Sequence, residues 1–211
     1  LGRLEEARDQ FRQAAALGYK RAIGERAFCE KLMAMRLRLP TVLAGKDRPT
    51  DALELLTLAI LCQNNLERRY AAAAEFYAEA FAAKPSYATD PSAYHRYNAA
   101  SSAILAGFGR GVDAATLDEA AKARLRHQGL EWLNAEVVLW TKHLASWSSL
   151  NRGRAVEMLR YCQLDKDLLS VRCGSFLATI PAEELKLWAK LWADVENGIK
   201  KIGAPPSGSV K

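Results

Sequence analysis

The chain has 211 residues, 50% of them hydrophobic and 26% charged, with a formal net charge of +6. That balance is ordinary for a globular protein long enough to bury a core, and no apolar run approaches the roughly 18 residues of a membrane span. Ala and Leu dominate, β-branched residues are sparse and no Val/Ile/Thr alternation occurs, so composition excludes a β-rich fold and favours helix.

The charge is uneven: residues 1–50 carry 11 Lys/Arg against 6 Asp/Glu, whereas 51–117 carry 5 against 7. Four cysteines, Cys29, Cys62, Cys162 and Cys173, form no CxxC pair and no metal-ligand spacing. Reduced thiols acting as small core residues, in a cytoplasmic protein, are the expectation. No signal peptide is evident, and Leu1 in place of an initiator Met suggests a fragment or a trimmed chain.

In chain order, the first helix is expected over about 3–17, ending near Gly18. Leu4, Ala7, Phe11 and Ala14 lie along it at the spacing 3, 4, 3. A second helix is expected from about 20 to 38, stopping before Pro40. Its apolar residues Ile23, Ala27, Phe28, Leu32, Met33, Met35 and Leu37 spread around the circumference, which predicts burial on several sides. Its cations Lys20, Arg21, Arg26, Lys31, Arg36 and Arg38 also point in several directions. Only Lys20, Lys31 and Arg38 share a stripe, which reads better as a solvated surface than as a nucleic-acid footprint. Residues 40–50 read as a hinge-like connector.

Asp51 and Glu54 form a capping pair that opens a helix over about 52–63. The next, about 67–83, repeats the 3, 4, 3 spacing at Tyr70, Ala73, Tyr77 and Ala80, with Pro85 beyond it. Such positions share one stripe, where small residues admit a neighbouring helix and the aromatic fills the gap. A further helix is expected from Pro91 or Ser92 to about Ala106, with Pro91 in its first turn. The link Gly107–Gly111 comes next, then a long helix over about 117–145 and a pair over about 151–163 and 182–202. Trp188, Trp192, Val195, Ile199 and Ile202 make the last one amphipathic. The tail 203–211 is expected to be disordered.

The repeated spacing resembles the tetratricopeptide-repeat (TPR) superfamily. More narrowly, Arg38-Leu39-Pro40, Gly45-Lys46-Asp47-Arg48-Pro49, Leu61-Cys62-Gln63, the block Tyr70–Phe81, His95–Ala100 and Leu191–Val195 resemble the C-terminal region beyond the TPR arrays of large bacterial serine/threonine protein kinases. The resemblance implies an all-α fold of stacked antiparallel helical hairpins, a TPR-like α-solenoid, with a degenerate helical C-terminal extension. It divides the chain into the end of a TPR array (1–39), the connector (40–50), a TPR-like helical domain (51–202) and the tail (203–211). The chain departs from the family pattern at Leu61, near a usual Gly, at Gly129 in place of Ala, and at an insertion over about 108–117.

No chemistry is evident in the sequence. There is no phosphate-binding Gly-rich loop after a strand, His95-Arg96 is followed by Tyr97 instead of a catalytic Asp, and no Asp-Phe-Gly occurs. Gly107-x-Gly109-x-Gly111 reads as a turn. His127 and Glu131, at i and i+4, read as a surface ion pair and not as a metal site. Glu183-Glu184, after Pro181, suit the first turn of a helix. The five tryptophans, Trp132, Trp140, Trp147, Trp188 and Trp192, read as packing between the long and last helices, Trp147 being the best candidate for exposure. No cofactor and no metal are expected.

The resemblance places a ligand groove along the first helix of each hairpin, which puts Tyr94, Tyr97 and Ser101 toward it and Asn98 beside it. Asn can hold an extended peptide backbone through donor and acceptor, and Tyr offers rigid amphipathic contact. The expected function is a non-catalytic scaffold module of a larger, kinase-associated signalling protein, with a protein or peptide partner. A basic helical-repeat module that binds nucleic acid is the alternative, and an enzyme site assembled from distant residues a third reading.

Overall fold

The computed structural model describes residues 2–64, 66–142, 149–173 and 175–203. Among them are the helices α1 Gly2–Ala16, α2 Lys20–Leu43, α3 Ala52–Gln63, α4 Tyr70–Ala83, the single turn α5 Ser86–Thr89, α6 His95–Gly107, α7 Glu119–Thr141, α8 Ser149–Leu164 and α9 Ala182–Gly203. Two 3₁₀ helices, Lys166–Val171 and Ser175–Thr179, complete the order, and the described residues contain no strand. The class is all-α.

Side-chain chemistry sets the starts of helices α3, α7 and α4. Asp51 caps α3 by accepting from the amides of Leu53 (2.8 Å) and Glu54 (2.9 Å), while Glu54 reaches back to the Thr50 amide (3.0 Å). Asp118 caps α7 through the Ala121 amide at 2.7 Å, so α7 begins two residues later than expected. Helix α4 has no cap of its own, since Arg69 offers no side-chain bond. Asp113 supplies it from the loop after α6, accepting from Ala71 (3.3 Å) and Ala72 (2.9 Å). That loop therefore ties α4 to the end of α6. The glycine link is a turn as expected, with Gly109 and Arg110 closing α6 onto the carbonyls of Ala106 and Leu105.

Helix α4 also begins later than expected, at Tyr70, and two further boundaries differ. Helix α2 does not stop before Pro40 but runs to Leu43, so the 39/40 boundary falls inside a helix. Proline there removes one hydrogen bond, but Met35, Leu39 and Val42 are buried against Leu58, Leu61, Cys62 and Ala73 of the next two helices, and that packing carries the helix on. It ends at Gly45, whose φ of +68° closes the last turn as its amide meets the Val42 carbonyl at 2.9 Å. Arg38 then fixes the connector through both oxygens of Asp47 (2.8 and 3.1 Å) and through Glu54 (3.1 Å). The second difference is at α6, which starts at His95 and not at Pro91 or Ser92. Asp90 accepts from the Ser92 amide (2.9 Å) and hydroxyl (2.6 Å), and this local turn competes with helix.

Helices adjacent in sequence pack on one another: α1 on α2, α3 on α4, α6 on α7, α8 on α9. These pairs join through α2 on α3, α4 on α6, and α7 on both α8 and α9. The Tyr70–Ala80 stripe lies in the core, with Ala73, Tyr77 and Ala80 fully buried. The equivalent stripe of α1 is not core, since Ala7, Phe11 and Ala14 are only half-buried. Nor is α2 buried on several sides: Ile23, Phe28 and Leu37 are exposed at 53%, 43% and 74%.

The most extensive cluster lies in the C-terminal half. It joins Ile104 of α6, Leu133 and Trp140 of α7, Leu159 of α8, Leu168 and Val171 of the first 3₁₀ helix, and Trp188 and Leu191 of α9. The region beyond residue 107 thus carries most of the main core. Trp140 and Trp188 are buried in it and Trp132 and Trp192 pack against it, as expected. Trp147, His143 and residues 204–211 of the tail lie outside the described residues.

Candidate functional site

The 91–94 turn, α6, the end of α7 and α8 enclose a cleft of about 940 Å³. Tyr94, Tyr97 and Asn98 line it from one side, Trp140 from α7, and Arg154, Glu157, Met158 and Tyr161 from α8. Three of the four residues expected at a groove therefore meet in one place. Ser101 does not. It is buried at 9% exposure, outside the cleft, and its hydroxyl faces the Tyr97 phenol.

Each wall is held from behind. Tyr94 sits in the left-handed region at φ +55°, a cost of about 1–2 kcal/mol for a non-glycine residue, and its ring stays 47% exposed. Its carbonyl accepts the Asn98 amide at 2.9 Å, which starts α6. Tyr97 forms the floor, 4% exposed, and its hydroxyl donates to Asp165, which also caps the first 3₁₀ helix through the Asp167 amide at 2.9 Å. Burial first, and then the Asp165 carboxylate, push the Tyr97 phenol far above its ordinary value, so it acts as a donor. The Tyr161 ring leans on Tyr97, centroids 5.4 Å apart at 57°, and is 54% exposed. Its phenol is also pushed up, by burial and then by Asp165 and Asp167.

Beneath Trp140 lies a buried ion pair. Glu136, 3% exposed, accepts from Arg96 Nε at 2.9 Å and from the Trp140 indole at 2.7 Å. This fixes the indole that lines the cleft. Asn98 touches a second polar group, the fully buried Tyr77 hydroxyl, which donates to Gln63 at 3.0 Å. The cleft is thus aromatic and amphipathic, with one guanidinium and one carboxylate on its α8 wall. It can hold an extended segment; its groups are not arranged as nucleophile and base.

The α8 wall is absent from the residues expected at a groove. Asn151, Arg154, Met158 and Tyr161 repeat the spacing 3, 4, 3 and line the cleft together, so the sequence does carry a signal for it.

The other candidates resolve as local structure. Glu184 is more than a helix-dipole residue: it holds buried Arg126 through two bonds, 2.8 and 3.1 Å, and accepts from the Trp188 indole at 3.2 Å. Arg126 also donates to the Gly107 carbonyl at 3.0 Å, linking α6, α7 and α9. His127 and Glu131 are both exposed and lie 3.3 Å apart. Cys29, Cys62 and Cys162 are buried and Cys173 is exposed, all free. Burial pushes the thiols of Cys62 and Cys162 up to about 12. Of the cations in α2, Arg21, Arg26, Arg36 and Arg38 each face a carboxylate. Among the described residues no group of three or more His, Cys, Asp or Glu could hold a metal, and no helix is long and apolar enough to cross a membrane.

No protein-family model, no curated protein and no solved structure matches the chain.

Proposed function

We propose that the chain is a non-catalytic protein-interaction module of TPR-like type, its helical pairs stacked as a short solenoid, which holds an extended peptide in the cleft between α6 and α8. The observation that carries this reading is the meeting of Tyr94, Tyr97 and Asn98 with an aromatic and polar stripe of α8 around about 940 Å³ of open space. Exposed tyrosines anchored by their neighbours offer contact area at low entropic cost, and amides beside them can pair with a peptide backbone. The 3, 4, 3 stripe of small and aromatic residues on α4 and the packing of consecutive helices support the repeat assignment.

The nucleic-acid alternative is weaker, because Arg21, Arg26, Arg36 and Arg38 of the basic N-terminal part each face a carboxylate that offsets their charge. Attachment to a serine/threonine kinase, in a bacterial cytoplasmic setting, is the context that the family resemblance proposes for the parent protein.

Selection from a random peptide library on the immobilised chain tests the function. We expect enriched peptides that bind with little salt dependence and lose affinity by about ten-fold or more, a hot-spot-sized loss, on Tyr161→Ala. Enrichment unaffected by Tyr161→Ala, or binding only to RNA or DNA with steep salt dependence, would contradict it.

A further inference from the structure

The charges around the cleft are specific enough to say which side chain a peptide would present. We infer that the cleft recognises a cationic side chain, Lys or Arg, placed against the Tyr97–Tyr161 ring pair and ion-paired with Glu157. The inference rests on the peptide-cleft reading above.

Three observations converge. First, the aromatic surface is extensive and geometrically suited: Tyr161 is 54% exposed and Tyr94 47% exposed, and the Tyr161 ring lies 5.4 Å from that of Tyr97, which floors the cleft. A cation over such faces is attracted by the ring quadrupole. Second, the Tyr97 hydroxyl donates to Asp165, so a carboxylate is bound to the floor residue and adds negative charge on the side away from the lining. The upward push on the Tyr161 phenol names the same carboxylates, Asp165 and Asp167, as neighbours. Third, Glu157 lines the cleft, exposed, and makes no ion pair among the described residues.

The opposing charges do not reverse this balance. Lys166 and Arg110 act on Asp167 and offset it. Arg96 is bound to Glu136 beneath Trp140. Arg154 alone stands in the lining as an unpaired cation among the described residues, against Glu157 and the Asp165 behind the floor. A carboxylate ligand would have Arg154 as its single cation and would meet Glu157 in the same lining.

Arg154 gives the test its sign. Fluorescence polarisation is measured on labelled decapeptide pools, each with one fixed central residue (Arg, Lys, Glu, Leu or Ser) and the other positions randomised, against wild type, Glu157→Gln, Arg154→Gln and Tyr161→Leu. All three positions line the cleft, away from the buried core, and circular dichroism checks that each variant is folded. The Arg and Lys pools should bind wild type about five-fold or more tighter than the Glu pool. That preference should shrink in Glu157→Gln and Tyr161→Leu and grow in Arg154→Gln. Equal affinity of all pools, or a Glu preference that Arg154→Gln abolishes, overturns the cationic inference and leaves the peptide cleft standing. Failure of every pool to bind overturns the peptide cleft itself.

Discussion

At the scale of single residues, buried charge decides more than surface charge. Arg126 is 5% exposed and is compensated by Glu184 and the Gly107 carbonyl. Removing Glu184 leaves a buried guanidinium without its counter-ion, so Glu184→Ala should cost about 3–5 kcal/mol in chemical unfolding. A double variant, Arg126→Met with Glu184→Leu, should recover most of that loss, because an apolar pair of similar volume has no charge to desolvate. His95 gives the pH dependence. Its Nδ1 is buried with no partner among the described residues, and burial lowers its pKa from 6.5 despite the opposing Asp90. The unfolded chain therefore takes up the proton first, and stability present in full above pH 6.5 declines as pH falls toward the folded value. Asp47 and Glu54, whose pKa values are lowered by hydrogen bonds from Arg38 and the Thr50 amide respectively, add their loss only at more acidic pH. His95→Phe should narrow the fall in Tm between about pH 7.5 and about pH 5.5. An unchanged fall would show that His95 is not the titrating group.

At the scale of elements, contact distance can invert helix propensity. Glycine in a helix interior normally costs up to about 1 kcal/mol relative to alanine. Gly153 follows that rule, with nothing within 4 Å of an added Cβ. Gly153→Ala should therefore raise Tm. Gly129 does not, since a Cβ there would meet Ile104 Cγ1 at 2.7 Å and the Ala100 carbonyl at 3.2 Å in the fully buried α6–α7 contact. Gly129→Ala should lower stability by about 1–3 kcal/mol, the scale of overpacking. Glycine at 129 thus has a steric reason that sequence spacing could not disclose. Helix identity was legible because Asp51 and the Tyr70–Ala80 stripe act locally. Ends set by distant groups were not: the cap of α4 comes from Asp113, and the continuation of α2 past Pro40 comes from packing on α3 and α4.

At the scale of the whole molecule, the all-α class was written in composition and period, but the location of the main core was not. Trp188, Leu133 and Leu159 are each ordinary apolar positions on separate helices, and only their convergence makes the C-terminal half the most extensive packed region. The cleft was half legible in the same sense. Tyr94, Tyr97 and Asn98 could be placed on a groove through family resemblance, whereas Arg154, Glu157 and Tyr161 enter only because α8 packs beside α6. Ser101, one turn beyond Tyr97 on the same stripe, is buried and lies outside the lining. The most direct test of the central claim is amide chemical-shift mapping of the labelled chain with a library-selected peptide. Shifts should concentrate at Tyr94, Asn98, Arg154, Glu157 and Tyr161. Shifts centred instead on the exposed α2 residues Ile23, Phe28 and Leu37 would contradict that claim.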